Sequence, residues 1–314
     1  MACSQIFGTP PEPVFNMKGC CLSEGLLEEL LITQASSNEA NIQNVSAHYG
    51  VFRCGQLAEC IFTICERFKQ PHETRFIAVE LFDRFMRAYI LQLREMSSEG
   101  LHAVKGRIQK KHSSSRTDEW RTSIRRLCKQ TLVFMVSCVQ IASKLCSHYK
   151  IISCRRCAEM LQEKGHRYST SKVLSSEMVV LKTLDYNLHT PSPLSYVETL
   201  LEIMGHNDPE SQVKILHETC LKILDVVYIN RKQMYGRLLR LAVGDSPVSE
   251  RTRSKFAMVE NDLMLLATAI IGAASHFVDM SATATVVEHL ARITKIPNDD
   301  ITDFSSIIVA IILG

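Results

Sequence analysis

Glycine and proline are scarce in this sequence, 13 and 9 among 314 residues, and they fall mostly between apolar repeats rather than inside them. That distribution excludes collagen-like and low-complexity chains and leaves long helices as the dominant element. Tryptophan occurs once, at position 120, so no row of aromatics stands ready to stack single-stranded bases. The net charge of +3 excludes a polycation built to coat nucleic acid. No apolar run reaches the ~18 to 20 residues that a membrane span requires. The longest, 263–278 and 307–313, read as core helices, and the first of them contains His276. Residues 1–15 carry neither a basic segment nor an unbroken apolar one, so no secretory signal is expected. A Gly-rich phosphate loop, a nucleophile elbow and a recognisable carboxylate pair are missing as well. No catalytic residue, cofactor or metal is therefore expected.

Cysteine is the exception, at twelve. Most fall on apolar helical faces (Cys60, Cys65, Cys138, Cys220), where a free thiol behaves as a small hydrophobe. This usage fits a reducing compartment, cytosol or nucleus. The hydrophobic fraction of 46% supports sizeable cores, and the length suggests two domains at ~150 residues each.

The densest apolar stretch of the first half is 129–145, KQTLVFMVSCVQIASKL, apolar in nearly every direction of a helical wheel. Such a helix forms the buried centre of a helical domain. Gln130, Ser137, Gln140 and Lys144 fall on one narrow stripe, left for solvent, a buried network or a partner. Around it the spacing predicts helices at 23–34, near 57–68 (Leu57, Cys60, Ile61, Ile64, Cys65, Phe68), 72–93, 153–164 closed by Gly165, and 171–184 capped by Ser169 or Thr170. Residues 1–22 have no pattern and are expected to be mobile. Periodicity also fades over 96–122, which reads as a long basic insertion. Prolines 191 and 193 mark a joint, with Ser192 and Pro193 as a cap-plus-first-position start. Further helices are expected at 193–204, 209–229 (Asp208 cap, Pro209 first), 231–243, 255–279, 283–295 and 297–313, with 263–278 as a second central rod. The expected organisation is an all-α chain with a domain at 23–190, the helix at 23–34 packing on it, and a second domain at 191–314.

Glu177 is out of place, lying within the apolar arc of Leu174, Met178, Leu181 and Leu184. A dry, unpaired carboxylate costs several kcal/mol, so this turn faces solvent, meets a cation or backbone donors, or marks where the face opens to a partner. Lys144 is the matching oddity at the end of the polar stripe, although a lysine at a helix C-terminus is favourable in its own right. Together they suggest an ion pair at the edge of the first bundle.

Ile141-Ala142-Ser143-Lys144, followed by Ser176-Glu177-Met178-Val179-Val180-Leu181-Lys182-Thr183-Leu184, resembles the cyclin box. Glu73-Thr74, Ala78-Val79 and Asp83-Arg84-Phe85 are similar to a third cyclin pattern, and the likeness covers about 52–188, with a weaker cyclin-like fold after it. The resemblance implies tandem helical bundles, each around a buried helix. It also implies Lys144 and Glu177 as anchors for a partner helix, in the family a kinase's regulatory helix. The run 149–153 and the segment PSPLSYVETLLEIMG are most similar to an atypical branch of the family linked to crossover maturation in meiosis. That likeness implies a non-catalytic regulatory scaffold in the nucleus, associated with chromosomes and with other recombination proteins. The alternative is an activating subunit of a cyclin-dependent kinase.

The sequence departs from cell-cycle cyclins in two places. Leu145-Cys146-Ser147-His148 follows the lysine where an aromatic and acidic residues are usual. Arg53-Cys54-Gly55-Gln56-Leu57 and Cys60 stand where a substrate-docking segment and its tryptophan would be, so no such groove is expected.

Two features remain. Cys154-Arg155-Arg156-Cys157 would need a second pair or a histidine such as His148 or His166 to hold zinc, and otherwise sits in an ordinary helix. The span 105–129 carries nine Lys or Arg against Asp118 and Glu119. Lys110, Lys111, Arg125 and Arg126 are candidate contacts to phosphates or an acidic partner, the bland reading being a solvated loop. DNA contact is expected to be indirect.

Overall fold

The apolar repeats become helices, five of which begin at a side-chain cap. In the computed structural model, Ser153 accepts from the Arg156 amide, Ser169 from Lys172, Ser192 from Leu194, Ser249 from Thr252 and Asp262 from Leu265. The structure describes residues 22–43, 51–99, 113–146, 150–208, 212–244 and 249–314. Among them are twelve α-helices and no strand. In order they are α1 (Glu24–Gln43), α2 (Gly55–Arg67), α3 (His72–Glu99), α4 (Ser113–Cys146), α5 (Cys154–Glu163), α6 (Thr170–Thr183), α7 (Pro193–Asn207), α8 (Val213–Val243), α9 (Glu250–Val259), α10 (Leu263–Val278), α11 (Thr283–Thr294) and α12 (Asn298–Leu313). Residues 1–21, expected to be mobile, lie outside the described residues.

The chain divides into two compact units, one holding α2–α6 and the other α1 with α7–α12. The joint falls between Pro191 and Ser192, where the prolines place it.

In the first unit α4 packs against α2, α3, α5 and α6, and every residue from 133 to 143 is buried. Phe85, Tyr89 and Phe134 form an aromatic knot, with centroids 4.8 to 5.6 Å apart. Gly165, at φ +83, ends α5 in the left-handed region. Its amide donates to the Gln162 carbonyl and that of His166 to Leu161, a paired closure that satisfies two orphan carbonyls. The insertion expected at 96–122 is shorter than its composition suggests. α3 continues to Glu99 and α4 starts at Ser113, because Trp120, Ile124 and Leu127 carry an inward-facing line through the basic residues.

In the second unit α10 is the central rod, touching α1, α7, α8, α11 and α12. At Gly272 the rod approaches α12 so closely that a Cβ there would overlap the Ser305 hydroxyl, which bonds the Ala269 carbonyl at 3.0 Å. The helix expected over 255–279 is two helices. Asp262 leaves helical geometry at ψ 94 and caps the second of them. The expected pair 209–229 and 231–243 breaks where expected: α8 is two helical segments meeting at a kink at Asn230 (φ −100, ψ 15), the first starting at Val213. Asp208 closes α7 rather than opening α8, and Pro209 lies outside the described residues.

The first helix also departs from expectation. α1 packs against α7, α9 and α10, not within the α2–α6 bundle, so the boundary 23–190 does not hold at its N-terminal end. The cause is polar. Asn38, buried in α1, accepts from the amides of Leu263 (2.8 Å) and Met264 (3.3 Å) and donates to Asp262 (2.9 Å). Gln34 donates to the Ser195 carbonyl and the Thr199 hydroxyl. α1 thus completes the N-cap of the second rod.

Candidate partner-binding site

The polar stripe of α4 is a buried seam, and α5 and α6 lie along it. Ser137 is fully buried and shares a 2.7 Å hydrogen bond with Ser176 of α6. One turn on, the Gln140 amide donates to the Cys154 sulfur at 3.2 Å. One more turn brings Lys144 onto Oε1 of Glu177, in a close ion pair. Of the three outcomes open for the stripe, a buried network prevails at its middle, Ser137 and Gln140, while Gln130 is half-buried and the last turn reaches water. Lys144 is 42% exposed and Glu177 5%.

The neighbouring serine anchors the chain beyond α4. Ser143 donates to the Gln140 carbonyl at 2.7 Å and accepts from the Ile152 amide at 3.2 Å. Gln70, after α2, donates to the Lys150 carbonyl at 2.8 Å. Residues 150–152 are thereby held against the end of α4, next to the lysine. Ser147 and His148 lie outside the described residues.

A second ionic cluster in the same unit escaped the sequence reading. Arg53 pairs with Glu80 and lies 3.7 Å from Asp83, and all three are almost fully buried. Asp83 also accepts from the Phe52 amide at 2.9 Å and pairs with Arg87 at 3.2 Å. Buried acids one helical turn apart on an apolar face, Glu80 and Asp83, were the available signal. Arg84 beside them donates to the carbonyls of Asn187 and His189, at 2.9 and 2.8 Å, and so pins the chain before the joint.

The remaining candidates do not converge on Lys144 and Glu177. Arg125 and Arg126 are exposed on α4, a helix rather than a loop, while Lys110 and Lys111 lie outside the described residues. Cys154 and Cys157 open α5. Burial, then the neighbouring Cys154 and Glu177, pushes the Cys157 thiol up to about 12, far from thiolate chemistry. Among the described residues no group of three or more His, Cys, Asp or Glu is arranged to hold a metal. His166 is exposed and stacks on Tyr168 instead. No single described helix is long and apolar enough to cross a membrane.

A helical bundle around a buried rod, with a Lys–Glu pair where the last turn of that rod meets α6, defines a cyclin-like protein. The sequence is 34% identical over 279 residues to human cyclin N-terminal domain-containing protein 1, covering 89% of this chain and 82% of that protein. It is 32% identical over 288 residues to the mouse protein of the same name, covering 92% and 84%. No family profile matches the chain. On these relatives, the chain belongs to the cyclin N-terminal domain-containing protein 1 family.

Proposed function

We propose that the protein is a regulatory scaffold without catalysis of its own, which docks a partner helix at Lys144 and acts in meiotic recombination at crossover maturation. It works in the nucleus, on chromosomes. The observation that carries the docking reading is the inequality of the ion pair. An ammonium has three donors, and Glu177 takes one of them. The others face water at the end of a rigid rod, suited to the carbonyls of an incoming helix. Glu177 is too buried to reach far and serves to hold the lysine in place. The meiotic assignment is supported by the likeness of 149–153 and 191–205 to the atypical meiotic branch.

Activation of a cyclin-dependent kinase is the second reading, and the retained Lys–Glu pair favours it. Against it stand Leu145 and Cys146 after the lysine and Cys60 in place of the docking tryptophan.

The test is complementation in meiotic cells lacking the endogenous protein, combined with a kinase assay on the purified complex. The intact chain is expected to restore crossovers with no associated kinase activity. Lys144→Ala is expected to fold, lose its chromosomal partner and fail to restore them. A robust kinase activity lost in Lys144→Ala would replace the scaffold with the activator. Full complementation by Lys144→Ala would remove the site.

A further inference from the structure

About 22 Å back along α4 from Lys144, exposed cations gather on one face. From 120 to 129 the helix turns Trp120, Ile124 and Leu127 inward, while Arg121, Arg125, Arg126 and Lys129 are exposed over the opposite arc. The α5–α6 turn comes to the same place. The Tyr168 hydroxyl donates to the Lys129 carbonyl at 3.1 Å, and Arg167 and Lys172, on either side of that tyrosine, are both exposed. Among the described residues, no carboxylate forms an ion pair with any of these six cations. Elsewhere in the unit, exposed arginines do find one: Arg67 holds Glu163 at 2.6 Å and Arg155 holds Glu159 at 3.0 Å. Asp118 and Glu119 precede the cluster on α4, and their side chains lie outside the described part of the structure.

This arrangement does nothing for the fold. Arg121, Arg125 and Lys129 recur every four residues, and like charges at that spacing work against a helix. They form a row with a rise of about 6 Å per step. The exposed residues among them, Thr122 and Cys128, are small. A protein interface of this extent needs a free apolar or aromatic anchor at its centre; the aromatic between these cations, Tyr168, is half-buried with its hydroxyl committed to the Lys129 carbonyl. Phosphates need only the cations and their N–H donors.

We propose that this face, built jointly by α4 and the α5–α6 turn, binds the backbone phosphates of duplex DNA without reading its sequence. The surface shares no residue with the Lys144 site, so either can fail alone.

The test is fluorescence anisotropy of a short random-sequence duplex with the full chain, titrated between about 50 and 200 mM salt. The expected result is binding with a log–log salt slope of up to about 5 for six cations. Arg167→Ala with Lys172→Ala should lower the slope by about 2 and weaken affinity about tenfold. Arg121→Ala with Arg125→Ala should do the same. Arg67→Ala with Arg155→Ala removes as much charge from paired sites and should bind like the intact chain. Circular dichroism melts confirm folding of each variant. The proposal is overturned if the intact chain does not bind, if the Arg167/Lys172 variant binds unchanged, or if the paired-site control weakens equally. Displacement by poly-glutamate at equal charge concentration would also overturn it, in favour of an acidic protein partner.

Discussion

Lys144 and Glu177 form an ion pair across two very different environments, the lysine side chain 42% exposed and the glutamate side chain 5%. If the lysine is removed, a carboxylate is left buried beside α4. If the charge of the glutamate is removed, the lysine simply returns to water. The pair is therefore asymmetric as a stability element, whatever it binds.

Lys144→Ala is expected to cost about 1–3 kcal/mol, below the range for a fully buried pair because water can approach from the lysine side. Glu177→Gln should cost less than Lys144→Ala, and the double variant should recover part of the single lysine loss. Urea unfolding of the three variants reads this. Equal costs for the two single variants would show that the burial difference has no energetic weight.

Arg53 has no such exit to solvent. Its partners Glu80 and Asp83 are as buried as it is, so Arg53→Ala removes a buried cation from Glu80 and leaves Asp83 to Arg87 and the Phe52 amide. The expected loss is about 3–5 kcal/mol, clearly larger than that of Lys144→Ala. A thermal melt that ranks the two variants the other way round would assign the cluster a minor role.

The buried cysteines make stability fall at alkaline pH. Burial pushes the thiols of Cys65, Cys146 and Cys157 up to about 12, and those of Cys138 and Cys220 upward as well. The folded chain then holds these protons after the unfolded chain has released them. Stability is flat below the ordinary thiol value and declines as pH rises from about 9 towards 12, by up to ~1.4 kcal/mol per pH unit for each group. Denaturant midpoints at pH 8 and pH 10 should therefore differ sharply, and Cys138→Ala with Cys220→Ala should flatten the difference. Coincident midpoints in the intact chain would contradict this account.

The ion pair at 144 and 177 was legible because apolar periodicity turns a single charge into an anomaly that demands a partner. The two central rods were legible for the same reason, since a helix apolar on all sides has only one place to go. Other features were not. Trp120, Ile124 and Leu127 keep helical spacing but are only three apolar positions in a basic stretch, so the apolar pattern announces α4 from 129 and misses the roughly four turns before it. The break between α9 and α10 rests on Asp262, one residue within a run whose periodicity passes through it. Leu26, Leu27, Leu30 and Leu31 predict a helix but not its destination, which Asn38 decides through a contact with Leu263 across 225 residues.

That last contact also imposes an order in time. A chain synthesised from its N-terminus releases α1 first and the α10 backbone that Asn38 caps 225 residues later. At about 5–20 residues per second the interval is roughly 10 to 45 s. The whole α2–α6 bundle emerges within it and has ample time to fold. The first helix made is among the last to find its place, and until then its leucines have only transient company.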